Sequence, residues 1–380
     1  MRLLHTSDWH IGRQFHNVSL LEDQAFILDQ IVSIAADQKI DVMLLAGDVY
    51  DRSVPPASAV ALLDDVFNRI CRDLNIPLIV ISGNHDGAER LAFGSRQMSD
   101  SGLHIISSLP LASKPIILED QHGPVAFHAI PYVDPAVVRH AYQSETTTHD
   151  EAIAFLIDGL KDQISAHDRN VALGHLFLDG GDPSESERPL SLGGLDKVSA
   201  DHFRIFNYAA LGHLHGPQKK DDESIRYSGS ILKYSFSEEN QKKAVTIVEI
   251  DNEGTCTIEQ IPLRPKKDLR VLEGTLEEIL RQGTSDTGKE DYLLVRLTDT
   301  HAILDIMQKL REVYPNVLHL ERPGLMGRGE AYKTRRELLQ KGELSMFKDF
   351  FQQVSGEDLS SDQLSVIEKA LEEIHQKEEP

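Results

Sequence analysis

Cysteine is scarce in this sequence of 380 residues, which contains only Cys71 and Cys256. The two lie far apart and form no C-x-x-C pair, so they provide neither a disulfide framework nor a thiolate zinc site. We expect both to be buried as small apolar side chains.

Long apolar runs are also missing. The longest, around residues 42–46 and 77–81, are far shorter than the roughly 20 residues that cross a membrane. The N-terminal stretch MRLLHTSDWH carries no continuous apolar segment of the kind found in signal peptides. We therefore expect a cytoplasmic protein that makes no contact with a membrane.

Basic residues are few relative to acidic ones, with 39 Lys and Arg against 61 Asp and Glu, which gives a net charge of -22. Proteins that bind DNA unaided usually carry a basic surface. A function on DNA would therefore need bound metal ions and local basic patches, or a partner that supplies positive charge. The candidate patches are Lys219–Lys220, Arg264–Lys267, and Lys333 with Arg335–Arg336.

The first part of the chain alternates short apolar runs with amphipathic stretches, which predicts an α/β domain over residues 1–262. Helices are expected at Leu20–Asp37 and Ser58–Asn75. The expected strands are Arg2–Ser7, Ile40–Ala46, Pro77–Ser82, Val125–Ile130, Val171–Gly174, Tyr208–Gly212 and Ala244–Glu249.

After the breaker segment Pro262–Lys267, the pattern predicts a small α/β capping domain over residues 263–333. Its helix Ala302–Val313 lies between strands Tyr292–Leu297 and Val317–Glu321. Residues 334–380 are rich in helix formers and predict two helices, Glu343–Val354 and Ser361–His375. Their phenylalanines predict packing between helices, with a docking face for a partner as the alternative.

Five clusters of metal-ligand residue types follow predicted strands, where α/β folds place their sites. A glycine precedes the first candidate ligand in four of them, as suits a tight turn near an ion. One cluster alone would be weak evidence, but all five together predict a metal site. They are Asp8-Trp9-His10, Gly47-Asp48-Val49-Tyr50-Asp51, Gly83-Asn84-His85-Asp86, Gly174-His175 and Gly212-His213-Leu214-His215.

Carboxylate, imidazole and amide oxygen together suit Mn²⁺, Fe²⁺ or Zn²⁺, and we favour Mn²⁺. If Asp48 bridges two ions about 3.5–4 Å apart, they can activate a shared water and stabilise charge on a phosphoryl group. The residues therefore predict phosphoester hydrolysis. We interpret Trp9, Tyr50 and the histidines outside the clusters as structural or exposed.

The five clusters resemble the calcineurin-like metallophosphoesterase superfamily, whose pattern is D-x-H, G-D-x-x-D, G-N-H-D/E, G-H and G-H-x-H. More narrowly, the segments DWHIGR, GDVYDR, SGNHD, GHLH and YSGSILKYSFSE resemble those of the SbcD family, the bacterial relatives of the Mre11 nucleases. The resemblance covers at least residues 1–262. It implies a two-sheet α/β sandwich, followed by the capping domain and the C-terminal helices.

Carried over residue by residue, the resemblance implies two metal sites that share Asp48. His85 would face the scissile phosphate rather than bind a metal, and Asp51 would orient it through its carboxylate, with Asp86 as the alternative. One ion would be held by Asp8, His10, Asp48 and His215, and the other by Asp48, Asn84, His175 and His213.

The resemblance also implies a partner, an SbcC-like ATPase of the SMC/Rad50 type that docks on residues 334–380, and a homodimer within a heterotetramer. The expected activities are ATP-dependent exonuclease action on double-stranded DNA and endonuclease action on single strands or hairpins, in DNA repair and recombination. One alternative is a phosphatase or phosphodiesterase for a small molecule or phosphoprotein. Another is a scaffold that has lost catalysis.

Overall fold

The computed structural model describes residues 1–323, except 165, 189 and 191–195, together with scattered residues between 344 and 369. Two compact units begin at Met1 and Lys267. The predicted helices Glu343–Val354 and Ser361–His375 fall largely outside the described residues, as do Lys333, Arg335 and Arg336.

Most strands of the first unit belong to two six-stranded mixed sheets. Along the chain they are β1 (Arg2–Thr6), β2 (Gln14–Phe15), β3 (Val18–Ser19), β4 (Val42–Ala46), β5 (Leu78–Ile81), β6 (Leu103–Ile106), β7 (Ile116–Asp120), β8 (Gly123–Ile130), β9 (Asn170–His175), β10 (Phe177–Leu178), β11 (Lys197–Val198), β12 (Tyr208–Gly212), β13 (Gln218–Lys220), β14 (Asp222–Tyr227), β15 (Ala244–Ile250) and β16 (Cys256–Pro262).

The first sheet has the order β16-β15-β1-β4-β5-β6 and the second β13-β14-β12-β9-β8-β7. In the first, β1, β4, β5 and β6 run parallel, and in the second β8, β9, β12 and β14 do. Alternate side chains such as Leu44 and Ile79 of one sheet pack with Phe127 and Leu173 of the other. The predicted two-sheet α/β sandwich is therefore confirmed.

Helices cover the outer faces, and the longer ones pack through apolar side chains one turn apart. In α7, Ile153, Ile157 and Leu160 contact the apolar layer formed by residues such as Ala209 and Leu211 of β12. The helices are α1 (Leu21–Asp37), α2 (Ala57–Asn68, continued by a π turn at Arg69–Asp73), α3 (Ala88–Leu91), α4 (Ser95–Met98), α5 (Leu109–Ala112), α6 (Pro135–Tyr142) and α7 (His149–Ile164).

The second unit contains a parallel three-stranded sheet in the order β17-β18-β19. Its elements are β17 (Leu269–Gly274), α8 (Leu276–Gly283), β18 (Tyr292–Leu297), α9 (Ile306–Arg311) and β19 (Val317–Glu321). Thr275 and Glu278 form a capping box at the start of α8. Helix α9 is shorter than the predicted Ala302–Val313, because Asp305 has a left-handed backbone (φ 55°) and the helix begins after it.

Cys71 is buried and Cys256 is half-buried, and both are free thiols. The expectation that both cysteines are buried is therefore wrong for Cys256, which lies at the start of β16. Among the described residues, no helix is both long enough and apolar enough to cross a membrane.

Candidate metal centre

The carboxyl ends of β1, β4, β5, β9 and β12, with the residues directly after them, meet at one place. They bring together all eight residues that the sequence singled out as ligands or as the phosphate-facing histidine. The backbone N–H of Asp8 donates to the carbonyl of Gly47 at 3.1 Å, and that of His10 to the carbonyl of Asp48 at 3.0 Å. Across the sheets, the His213 N–H donates to the Asp8 carboxylate at 3.0 Å. Parallel strands whose carboxyl ends converge thus build the site.

Asp8, His10 and His215 form one group, in which one potential ligand atom from each lies within 4.8 Å of the others. The Nε2 atoms of His10 and His215 are 3.1 Å apart. Two imidazole nitrogens that bind one ion at about 2.1 Å, with nearly a right angle between them, are separated by about 3 Å. The spacing therefore fits two ligands of a single metal ion.

A second group surrounds the amide oxygen of Asn84. His175 Nε2 lies 3.0 Å from this oxygen, and His213 Nδ1 lies 3.2 Å from it. Asp48 connects the groups, because its Oδ2 is 3.5 Å from His175 Nε2 and 3.6 Å from His10 Nε2. One oxygen of Asp48 is therefore placed where a bridging ligand would lie.

His85 stands beside both groups and is only 5% exposed. Its backbone N–H donates to Asp48 Oδ1 at 2.9 Å, and its Nδ1 donates to the main-chain carbonyl of Asp51 at 2.9 Å. The expected orientation by the Asp51 carboxylate is corrected by this geometry, since that carboxylate pairs instead with Arg13 at 3.2 Å. The main chain of Asp51 orients His85.

Asp86, the alternative orienting residue, does not reach the His85 ring through any hydrogen bond that the structure shows. Its carboxylate instead accepts backbone N–H groups from Val49 at 3.1 Å, Tyr50 at 2.9 Å and Gly83 at 2.9 Å. These donors lie in the loops that carry Asp48 and Asn84. Asp86 therefore ties two ligand-bearing loops together.

Burial dominates the electrostatics of the site. It lowers the pKa of His213 to about 3 and the pKa of His10 well below its usual value. Burial alone would also lower the pKa of His175, but the charge of Asp48 raises it to about 9. Burial would raise the pKa of Asp48, yet His175 holds it well below the usual range. The neutral imidazoles of His10 and His213 beside the ionised carboxylate of Asp48 are suited to a divalent cation. His175 must release a proton before it can bind one.

Sequence reasoning missed the residues that surround His215. Its backbone N–H donates to Glu187 at 2.7 Å, its carbonyl accepts from Lys243 at 2.8 Å, and its ring contacts Ser186, which donates to Glu238. Glu238 lies in the segment YSGSILKYSFSE, one of those that resemble SbcD. Nothing in the spacing of that segment indicates that Glu238 contacts Ser186 beside the ring of His215. Trp9 and Tyr50, interpreted as packing residues, are both buried.

Comparison with known proteins identifies two family models. Residues 1–217 match a model described as calcineurin-like phosphoesterase, and residues 265–355 match one described as the type 5 capsule protein repressor C-terminal domain, SbcD_C. A curated protein of Staphylococcus epidermidis, the D subunit of the nuclease SbcCD, is 34% identical over 372 residues, which cover 98% of each chain.

Two solved structures resemble the chain more distantly. TT1561 of Thermus thermophilus is 12% identical, covers 69% of this chain and 99% of its own, and has a TM-score of 0.41. A dimetal phosphatase from Danio rerio is 11% identical, covers 69% of this chain and 96% of its own, and has a TM-score of 0.42.

Proposed function

Because the chain belongs to the SbcD group of the calcineurin-like phosphoesterases, we propose that it is a cytoplasmic nuclease subunit. It would hydrolyse DNA phosphodiesters with two divalent metal ions, Mn²⁺ by preference. The observation that carries the proposal is the position of Asp48. Its Oδ2 lies 3.5 Å from His175 Nε2 and 3.6 Å from His10 Nε2, between the two ligand groups.

The donor set fits the proposed ions, since it combines carboxylate and amide oxygens with imidazole nitrogens and has no thiolate. When bound, the two ions would supply Lewis-acid activation of the phosphodiester and of the attacking water. We propose that Asp8, His10, Asp48 and His215 hold one ion, and that Asp48, Asn84, His175 and His213 hold the other.

We propose that His85 acts on the substrate phosphate. Because a carbonyl oxygen can only accept, the hydrogen bond to Asp51 requires the proton of the neutral ring to be on Nδ1. The other ring nitrogen, Nε2, is 4.0 Å from Asp48 Oδ2. In this neutral ring Nε2 carries the lone pair, so it can accept a proton, and once protonated it can donate to the leaving oxygen or to the transition state.

The choice of DNA as substrate rests on the relationship to SbcD rather than on charge, because the chain is strongly acidic. Of the proposed basic patches, Lys219 is already engaged by Glu223 on the neighbouring strand. We therefore propose that an SbcC-like ATPase, docked on residues 334–380, supplies much of the DNA-binding surface. ATP-dependent exonuclease and hairpin endonuclease activity, and a homodimer within a heterotetramer, belong to the same proposal.

The test is a Mn²⁺-dependent cleavage assay on linear duplex and hairpin DNA, with and without the ATPase and ATP. We expect His85→Ala to slow cleavage by about 10²–10⁴-fold while the protein still binds Mn²⁺, because the ring acts on the phosphate rather than on the metal. Asp48→Ala should lose both cleavage and bound metal. His140→Ala, which changes an exposed histidine of α6, is the matched control and should behave as the wild type.

Equal cleavage by wild type, His85→Ala and Asp48→Ala would contradict the proposed site. A different result would favour the phosphatase alternative: rapid turnover of cyclic nucleotides or phosphopeptides without a partner, and no DNA cleavage even when the ATPase is present. Loss of Mn²⁺ from His85→Ala would show that His85 is a ligand.

A further inference from the structure

A line of buried polar groups leads from Lys243 to the ring of His215. Lys243 Nζ donates to Glu238 Oε2 at 2.6 Å. The other oxygen of Glu238 accepts from Ser186 Oγ, which lies 2.5 Å from Nδ1 of His215. Glu238 is 0% exposed, His215 1%, Lys243 6% and Ser186 8%, so the line is shielded from solvent along its whole length.

The proton count along this line determines the tautomer of His215. A serine hydroxyl has one hydrogen to donate and an ionised carboxylate has none. The hydrogen of Ser186 therefore goes to Glu238, and Ser186 must accept from His215. It follows that the proton of the neutral imidazole is on Nδ1 and the lone pair is on Nε2.

Lys243 keeps Glu238 in the ionised state that this count requires. The ammonium of Lys243 donates directly to Glu238 Oε2, and this buried ion pair stabilises the carboxylate form of Glu238. Lys243 also donates to Ser230 Oγ at 2.7 Å. A buried ion pair is often no more stabilising than well-packed apolar residues, so stability alone gives little reason for this arrangement.

The Nε2 atom that is left with the lone pair faces the proposed ion site. It lies 3.1 Å from Nε2 of His10, in the group that also contains Asp8. The backbone of His215 is fixed at both ends, by Glu187 on its N–H and by Lys243 on its carbonyl. Ring position and tautomer are thus both set by residues outside the ligand clusters.

We propose that Ser186, Glu238 and Lys243 are positioning residues for His215, which hold its ring in the Nδ1–H tautomer and make Nε2 a stronger ligand for the ion shared with Asp8 and His10. The inference rests on the two-ion site of the proposed function and assigns to that site three residues that the ligand motifs do not contain. Partners on the far nitrogen of a ligating histidine typically change metal affinity by about 10–100-fold.

The first test is isothermal titration of the metal-free protein with Mn²⁺. We expect Ser186→Ala to weaken one of the two binding steps by about 10–100-fold and to leave the other within about twofold of the wild type. Ser186→Thr keeps the hydroxyl and should restore most of the affinity. Ser33→Ala is the matched control, because Ser33 donates to Asp29 on the exposed face of α1 and should bind as the wild type does.

Thermal melting of the metal-free proteins separates positioning from a structural role. A positioning role predicts that Ser186→Ala melts close to the wild type while one ion binds more weakly. Two results would overturn the proposal: both ions bind as in the wild type, or both are weakened equally and the melting temperature falls. A failure of Ser186→Thr to restore binding would also count against it.

A second measurement needs no metal. If the wild type binds fewer than two Mn²⁺ ions, the proposed function fails, but this measurement still tests the inference about His215. In protein labelled with ¹⁵N-histidine, the His215 ring should be in the Nδ1–H tautomer and should lose that preference in Ser186→Ala and Glu238→Gln. An Nε2–H tautomer in the wild type would refute the inference.

Discussion

Gly212, the last residue of β12, lies where the two sheets approach closely enough to exclude any side chain. A Cβ atom added there would lie 1.8 Å from the carbonyl oxygen of Ala46 at the end of β4, and 2.9 Å from Nδ1 of His175. The same carbonyl accepts a hydrogen bond from His175 Nδ1 at 2.9 Å. Gly212→Ala should therefore disturb the packing of the sheets and the orientation of a proposed ligand together.

The magnitude follows from these contacts. Since Cβ atoms essentially never come within 3.0 Å of such neighbours, β4 and β12 must separate by more than about 1 Å. Overpacking of this kind costs about 1–3 kcal/mol, and loss of the buried His175 hydrogen bond costs about 1–3 kcal/mol more. We expect the free energy of unfolding to fall by about 2–6 kcal/mol, a large share of the stability of an ordinary domain.

Urea unfolding of the metal-free protein measures this loss, and titration with Mn²⁺ should show weaker binding because His175 is displaced. Gly159→Ala is the matched control: Gly159 lies in α7, its added Cβ would meet nothing within 4 Å, and alanine should stabilise the helix by about 0.5–1 kcal/mol. If Gly212→Ala unfolds within about 0.5 kcal/mol of the wild type, the close-approach argument is wrong.

Two further substitutions test contacts in the first unit. Hydrogen bonds from Arg169 lower the pKa of Asp120 below its usual 3.8, and Asp120→Asn should cost about 2–4 kcal/mol at pH 7 because Arg169 is then buried without a counterion. The stability that ionised Asp120 contributes is present above its pKa in the unfolded chain and is lost as pH falls through its pKa in the folded protein. The free energies of unfolding of wild type and Asp120→Asn, measured with urea, should therefore converge in acid. A difference that persisted in acid would contradict this account. Asp86→Ala leaves three backbone N–H groups without their acceptor. It should lower the free energy of unfolding by about 2–4 kcal/mol and weaken Mn²⁺ binding, and Asp86→Asn should have an intermediate effect. Unchanged Mn²⁺ binding would show that Asp86 does not hold the ligand loops.

The ligand clusters could be predicted from sequence because each lies at the carboxyl end of a strand that is buried on both faces. Such a strand appears as a short apolar run, as in Val42–Ala46 before Gly47 and Asp48, and its end marks the edge of the sheet. The partners of these clusters could not be predicted in the same way. His85 is oriented by a main-chain carbonyl, and residue types carry no information about such a partner.

Ser186, Glu238 and Lys243 were missed for a related reason. Ser186 lies 29 residues from His215 and 52 from Glu238 in sequence, and Lys243 follows Glu238 by five residues. A single serine, glutamate or lysine is far more often a surface residue than a buried one. Only the folded chain brings the three together beneath a histidine.

The four edge strands of the sandwich, β6, β7, β13 and β16, are absent from the strands expected from sequence, and helix α7 is absent from the expected helices. Edge strands β7 and β16 alternate half-buried and exposed side chains, so they lack the continuous apolar run that marks β4 or β5. Helix α7 did carry the expected signal, with buried Ile153, Ile157, Leu160 and Ile164 at helical spacing. The spacing of these residues is therefore sufficient to predict a helix here.

The charge of the chain leads to a last prediction, about DNA binding. Two divalent ions would add four positive charges at one place, against a net charge of -22 over the whole chain, so most of its surface should repel a duplex. We expect the chain alone to bind DNA no more tightly than ordinary non-specific binding, with Kd of about 10⁻⁴–10⁻⁶ M at physiological salt. Addition of the ATPase should tighten binding and steepen its salt dependence, since each phosphate neutralised by Lys or Arg makes the slope of log K against log salt more negative by about 0.9. Fluorescence anisotropy at several salt concentrations measures both quantities, and nanomolar binding by the chain alone would show that a local basic surface outweighs its net charge.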